Sequence, residues 1–268
     1  MRPIFLYSWL CVVCSCGRFH FGEEKPSRDA GRDAAIDSTV DARCSPDPEL
    51  VTYFSFDEGA GNVVHDKSAS GISAGLGGHT GWGPGVHGTA VQFDGVDSQV
   101  VFAPHPNLSF HAGLGSFTVS YWIRPTALVG IAIRPFEIAY CTGSGYILAF
   151  LEDSGVAGFS GHDRLDHYAE ARSYPGAVQI GKWTHVAAVL DRSAQLGTIY
   201  INGKPSGTVG SLADWTDTID CSAAKQVIEL GGWPGFWFTG SMDDFAIYSR
   251  ALSAPEVEML FARQPDCL

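Results

Sequence analysis

The longest run of β-type residues spans residues 183–190, where apolar side chains fill both alternating sets. Trp183, Ala187 and Val189 make one set, and Val186, Ala188 and Leu190 the other. That pattern predicts a strand buried on both sides. A second run, residues 198–201, follows a polar connection ending at Gly197, and Asn202-Gly203 comes directly after it. Asn-Gly predicts a type I′ hairpin, because both central residues need φ > 0.

The rest of the chain repeats this short-strand rhythm. Residues 50–56 read as a strand closed by Asp57-Glu58-Gly59-Ala60-Gly61. Residues 89–93 and 99–103 form a pair around Asp94-Gly95-Val96-Asp97. Residues 116–125 alternate, with Phe117, Val119, Tyr121 and Ile123 against Ser116, Thr118, Ser120 and Arg124. That alternation predicts an antiparallel strand with one face wet. Further runs lie at 136–140, 146–151, 156–160, 227–230 and 240–248, whereas the glycine-dense stretch 71–88 reads as one long loop. One helix is expected, near the C-terminus. Ser253 is its N-cap, Glu256 the capping-box partner, and Val257, Leu260 and Phe261 its apolar stripe.

Composition adds a compartment. The chain has 268 residues, 32 glycines and a net charge of −12. Glycine abundance suits turns, and the acidic balance argues against nucleic acid or anionic lipid as a partner. Residues 1–16 read as an export signal: Arg2 precedes an apolar run too short to span a bilayer. Val13-Cys14-Ser15-Cys16-Gly17 is similar to a bacterial lipobox, which makes Cys16 the candidate lipidated residue and that lipid the only expected contact with a membrane. Residues 17–48, rich in Asp, Ala, Arg, Ser and Pro, read as a disordered tether, and residues 49–268 as one domain.

Five motifs in order carry a family resemblance. They are Tyr53-Phe54-Ser55-Phe56-Asp57-Glu58; Gly85-Val86-His87-Gly88-Thr89-Ala90-Val91-Gln92-Phe93-Asp94-Gly95; residues 116–125; Lys182-Trp183-Thr184-His185-Val186 through Tyr200-Ile201-Asn202-Gly203; and residues 238–253, with Met242-Asp243-Asp244-Phe245 at their heart. Together the segment resembles a LamG-like jelly-roll domain of the concanavalin A-like lectin/glucanase superfamily. The resemblance implies an all-β, two-sheet antiparallel sandwich that binds glycans or proteins at a cell surface.

Candidate chemistry is sparse. The Glu-x-Asp-x-Glu spacing that would set two carboxylates about 5 Å apart across a glycosidic bond is missing, as are His-Glu-x-x-His and Gly-x-Ser-x-Gly. Glu137 stands alone in its strand, and Asp243 and Asp244, being neighbours in a strand, are expected on opposite faces. A non-catalytic module follows. Asp57, Asp94, Asp97, Asp243 and Asp244 sit at strand ends or turns. There they would either cap backbone N–H groups or supply oxygens to one structural Ca²⁺. His185 is expected in the core, while His79, His87, His162 and His167 show no ligand spacing. Trp82, Trp215, Trp233, Phe236 and Trp237 lie in or beside loops, where rings can stack on sugar. Cys44, Cys141, Cys221 and Cys267 suggest two disulfides. Termini of sandwiches lie close together, which favours Cys44–Cys267 and so Cys141–Cys221. The reading that results is a binding module recognising carbohydrate; the alternative is an adhesive domain for another protein, with no sugar site.

Overall fold

A computed structural model describes residues 47–111, 115–129, 133–139, 146–217 and 227–262. The expected cysteine pairs, Cys16, and nearly all of the leader and tether lie outside the described residues. In chain order the strands are β1 (Leu50–Phe54), β2 (Val63–His65), β3 (Ser73–Gly77), β4 (Gly81–Pro84), β5 (Thr89–Asp94) and β6 (Gln99–Phe102). Then come β7 (Phe117–Pro125), β8 (Ile133–Ala139), β9 (Tyr146–Leu151), β10 (Ala157–His162) and β11 (Tyr168–Arg172). The series ends with β12 (Thr184–Asp191), β13 (Leu196–Ile201), β14 (Lys204–Pro205), β15 (Gly210–Ser211), β16 (Val227–Leu230) and β17 (Thr239–Tyr248), followed by helix α1 (Ala254–Ala262).

These strands make two antiparallel sheets. One runs β14-β13-β12-β7-β17-β5-β4, with β1 added on β17 and β15 on β13; the other runs β11-β10-β9-β8-β16-β6-β3-β2. Their facing sides interdigitate as a sandwich. Phe54, Phe102, Tyr121, Phe136 and Phe245 form its aromatic centre, with Phe54–Phe102 centroids 5.0 Å apart and Phe136–Phe245 centroids 5.5 Å apart. The expected all-β jelly roll is what the residues build.

Helix α1 and the segment before it cover the outer side of the nine-stranded sheet. Val257 is fully buried there with Leu50, Tyr53, Ala187, Val189, Tyr200, Tyr248 and Leu252. Burying one such valine contributes about 2 kcal/mol. The helix starts as the sequence predicts, with the Ser253 N–H donating to Glu256 Oε2 at 2.7 Å.

This cover corrects one expectation. Strand β7 was expected to wet one face, yet Thr118 and Ser120 are as buried as Phe117 and Val119. Their hydroxyls are bonded: Thr118 Oγ1 donates to Arg250 O and accepts from Leu252 N–H, and Ser120 Oγ meets His185 Nε2 at 2.8 Å. Small hydroxyls read as polar in a pattern but enter a core once satisfied. The glycine-dense stretch 71–88 is likewise no single loop, since it supplies β3 and β4; ladder hydrogen bonds need no side chain. Asn202-Gly203 does make the predicted turn, with φ of 49° and 76°.

Candidate functional site

With α1 over the nine-stranded sheet, a candidate row lies on the outer side of the eight-stranded sheet, where Glu137, Leu148 and Ser160 are buried and Arg134 and Glu229 half-buried. The row comes from register. Glu137 of β8 faces Glu229 of β16 on one side and Leu148 of β9 on the other. Beyond Leu148 the row continues to Ser160 of β10 and Glu170 of β11. Directly opposed residues share one face, with Cβ atoms about 5 Å apart. Glu137 is therefore not alone, as its strand suggested. Its carboxylate accepts both bonds of Arg134 Nη1, at 3.1 and 3.3 Å, and Gln99 Nε2 donates to Glu229 Oε2 at 3.3 Å. Burial, and then the charge of Glu137, raises the Glu229 carboxyl above the usual range.

At one end of this face lies the aromatic segment expected from the sequence. Trp233-Pro234-Gly235-Phe236 forms a turn closed by Phe236 N–H donating to Trp233 O at 2.7 Å. Proline at the second position and Gly235 at φ 93° are the residues a type II turn requires. The turn lifts Trp233 and Phe236 to 44 % and 38 % exposure. Arg134 lies 4.3 Å over the Phe236 ring, tying the turn to the carboxylate row. Trp237 is half-buried beside them.

The other two tryptophans sit elsewhere. Trp82 is half-buried on β4 against the core, its Nε1 donating to Gly61 O at 2.9 Å. Trp215 is 5 % exposed and offers no surface to a ligand. Its Nε1 donates to His167 O at 2.6 Å. Asp163, wholly enclosed nearby, accepts the N–H groups of Leu165, His167, Thr216 and Asp217 and bonds His167 Nδ1 at 2.8 Å. A tryptophan that reads as a loop residue is here the pin of a packed corner.

The candidate metal residues divide into three places. Asp57 accepts the Thr89 N–H at 3.1 Å. Asp94 accepts the N–H groups of Val96, Asp97 and Ser98, and His79 Nδ1 meets Asp97 Oδ1 at 2.9 Å. Against burial, those N–H bonds hold the Asp94 carboxyl down at about 2. Asp243 and Asp244 do not point apart. The β17–β7 register slips between Asp243 and Ala246, and Asp244 adopts φ 47°, so the bulge turns both carboxylates toward His87. Asp243 Oδ2 accepts the His87 N–H at 3.0 Å, and Oδ1 accepts the Asp244 N–H at 2.9 Å. Asp244 Oδ1 accepts the Tyr53 hydroxyl at 2.6 Å, while Oδ2 bonds His87 Nδ1 at 2.7 Å. Burial pushes the Asp243 carboxyl up to about 7. Calcium takes six to eight oxygens. The two carboxylates here are already engaged by protein donors, and the His87 and Thr89 carbonyl oxygens converge with Asp243 Oδ2 beside Gly85.

His185 is enclosed, as expected. Burial drives its imidazole down to about 3, so Ser120 meets a neutral ring.

The fold matches known proteins. Residues 94–258 fit the model described as the concanavalin A-like lectin/glucanases superfamily. The chain belongs to that superfamily. No curated protein matches it by sequence. Among solved structures, the binding domain of Paraclostridial Mosquitocidal Protein 1 is similar at 19 % identity and TM-score 0.64, over 80 % of this chain and 52 % of that one. The ligand-binding domain of botulinum neurotoxin serotype D, in complex with N-acetylneuraminic acid, gives 14 % identity and TM-score 0.64, over 81 % of this chain and 51 % of that one. This chain thus spans about half the length of both toxin domains. Domain 4 of AbnA, a GH43 extracellular arabinanase from Geobacillus stearothermophilus, in complex with arabinotriose, gives 20 % identity and TM-score 0.58, over 79 % of this chain and 98 % of that one. At such identities the likeness concerns the fold. These relatives are binding domains.

Proposed function

We propose that the protein is a non-catalytic, extracytoplasmic module that binds carbohydrate on the outer face of its eight-stranded sheet. The observation carrying this reading is the exposed Trp233–Phe236 turn set beside a row of carboxylate, carboxamide and guanidinium groups. Rings offer a surface to the C–H faces of a sugar, and the half-buried Gln99, Glu229 and Arg134 offer partners for its hydroxyls. The arabinotriose bound by the arabinanase domain, which this chain spans almost end to end, supports the same ligand chemistry. Residues 1–16 and 17–48 then serve as export signal and tether, with Cys16 as the lipid anchor. The test is retention of the full chain on neutral plant polysaccharides in native affinity gels. Wild type is retarded, and Trp233→Ala loses roughly tenfold in affinity, as for an aromatic anchor, with an unchanged melting temperature. Wild type migrating freely through every glycan would overturn the reading.

A further inference from the structure

A second set of rings lies on the same face, away from the Trp233 turn. Tyr146 of β9, His162 of β10 and Tyr168 of β11 are directly opposed residues of adjacent strands. Their ring centroids follow at 5.0 Å and 5.0 Å, with interplanar angles of 40° and 54°. Each ring props the next, and Tyr168 ends the row 51 % exposed. Around it lie ionised groups rather than apolar ones. Tyr168 Oη donates to Glu170, and Arg172 pairs with both Glu152 and Glu170. The aliphatic and aromatic neighbours Leu148, Phe150 and Val156 are buried beneath.

We infer that the Tyr146–His162–Tyr168 row is a further ligand-contact site, and that the chain it takes is an uncharged oligosaccharide. The inference rests on the carbohydrate reading above and adds the class of sugar. A protein partner would need an apolar, dehydrated centre, which this rim of charges does not offer. The charge of the face selects among sugars. Among its described residues are Glu137, Glu152, Glu170 and Glu229, against Arg134 and Arg172. Both arginines are paired with glutamates, which offsets their charge, and Glu229 has Gln99 rather than a cation beside it. A uronate or sialate set on this face would meet like charge within a Debye length, about 8 Å at physiological salt.

The experiment compares the full chain with Tyr168→Ala, Tyr146→Ala and Tyr168→Phe on neutral arabinan, xylan and mixed-linkage glucan, and on polygalacturonate and polysialic acid. Wild type is expected on at least one neutral polymer and at least tenfold more weakly on the acidic ones. Tyr168→Ala should lose about tenfold and Tyr168→Phe less than twofold, because the ring stays. Thermal melting of each variant separates a lost contact from a lost fold; Tyr168 is exposed enough that its alanine variant should melt with wild type. Binding that is lost in Trp233→Ala but unchanged in both Tyr→Ala variants would overturn the row alone. Preference for the acidic polymers would overturn the assigned class. Silence of wild type on every polymer would instead remove the carbohydrate reading on which both rest.

Discussion

Replacing Asp243 by asparagine should change how the stability of this protein depends on pH. Asp243 has no solvent exposure, and burial carries its carboxyl to about 7, against an ordinary value of 3.8. The folded state therefore holds a proton that the unfolded state releases above pH 3.8. Stability from this group is complete below pH 4, declines through the interval to pH 7, and is gone above it. With one proton involved, the slope is about 1.4 kcal/mol per pH unit, so the decline is on the order of 4 kcal/mol. In Asp243→Asn the oxygen of the carboxamide can still accept one backbone N–H, but its NH₂ group faces the other donor, which costs about 1 kcal/mol or more at every pH. The variant should thus be the weaker protein at pH 4 and the stronger one at pH 8. Urea unfolding followed by tryptophan fluorescence at unit steps from pH 4 to 8 measures both curves, and their difference cancels the titrating groups that lie away from Asp243, Asp244 and His87. Parallel curves would refute the reasoning, because they would mean that Asp243 is ionised in the fold throughout this range.

Two further outcomes follow from local geometry. Gly203→Ala would place a methyl group 3.0 Å from Phe261 Cβ and 3.2 Å from Glu258 Cα at a residue with φ 76°. A loss of about 1–2 kcal/mol is expected, read as a fall of several degrees in melting temperature; an unchanged temperature would show that α1 does not press on the hairpin. Asp94, Asp97, Asp243 and Asp244 already bond protein N–H, hydroxyl or imidazole groups, so melting in calcium and in chelator should agree within about a degree. A rise of several degrees with calcium would establish a site built from other oxygens.

Much of this architecture is local and so could be read from the chain. Asn202-Gly203 makes a type I′ turn by backbone preference alone, and Ser253 and Glu256 start α1 within four residues. The ligand face was less legible because register creates it. Glu137 and Glu229 meet only when β8 and β16 pair, and Tyr146, His162 and Tyr168 line up only across three strands. Asp243 and Asp244 misled for a different reason. Strict alternation sends neighbours to opposite sides, and one residue at φ 47° cancels it. Trp215 misled because a ring in a connecting segment looks available until the corner around Asp163 closes over it.

The pairing of β1 with β17 has a practical consequence. Arg250 binds Asp47, at the start of the described domain, and also reaches Glu256, at the start of α1. Asp47 and the start of α1 are thus fastened to one another through a single guanidinium. One side chain therefore ties the first described residues of the domain to its last helix, so a change at Arg250 would loosen both at once rather than either alone.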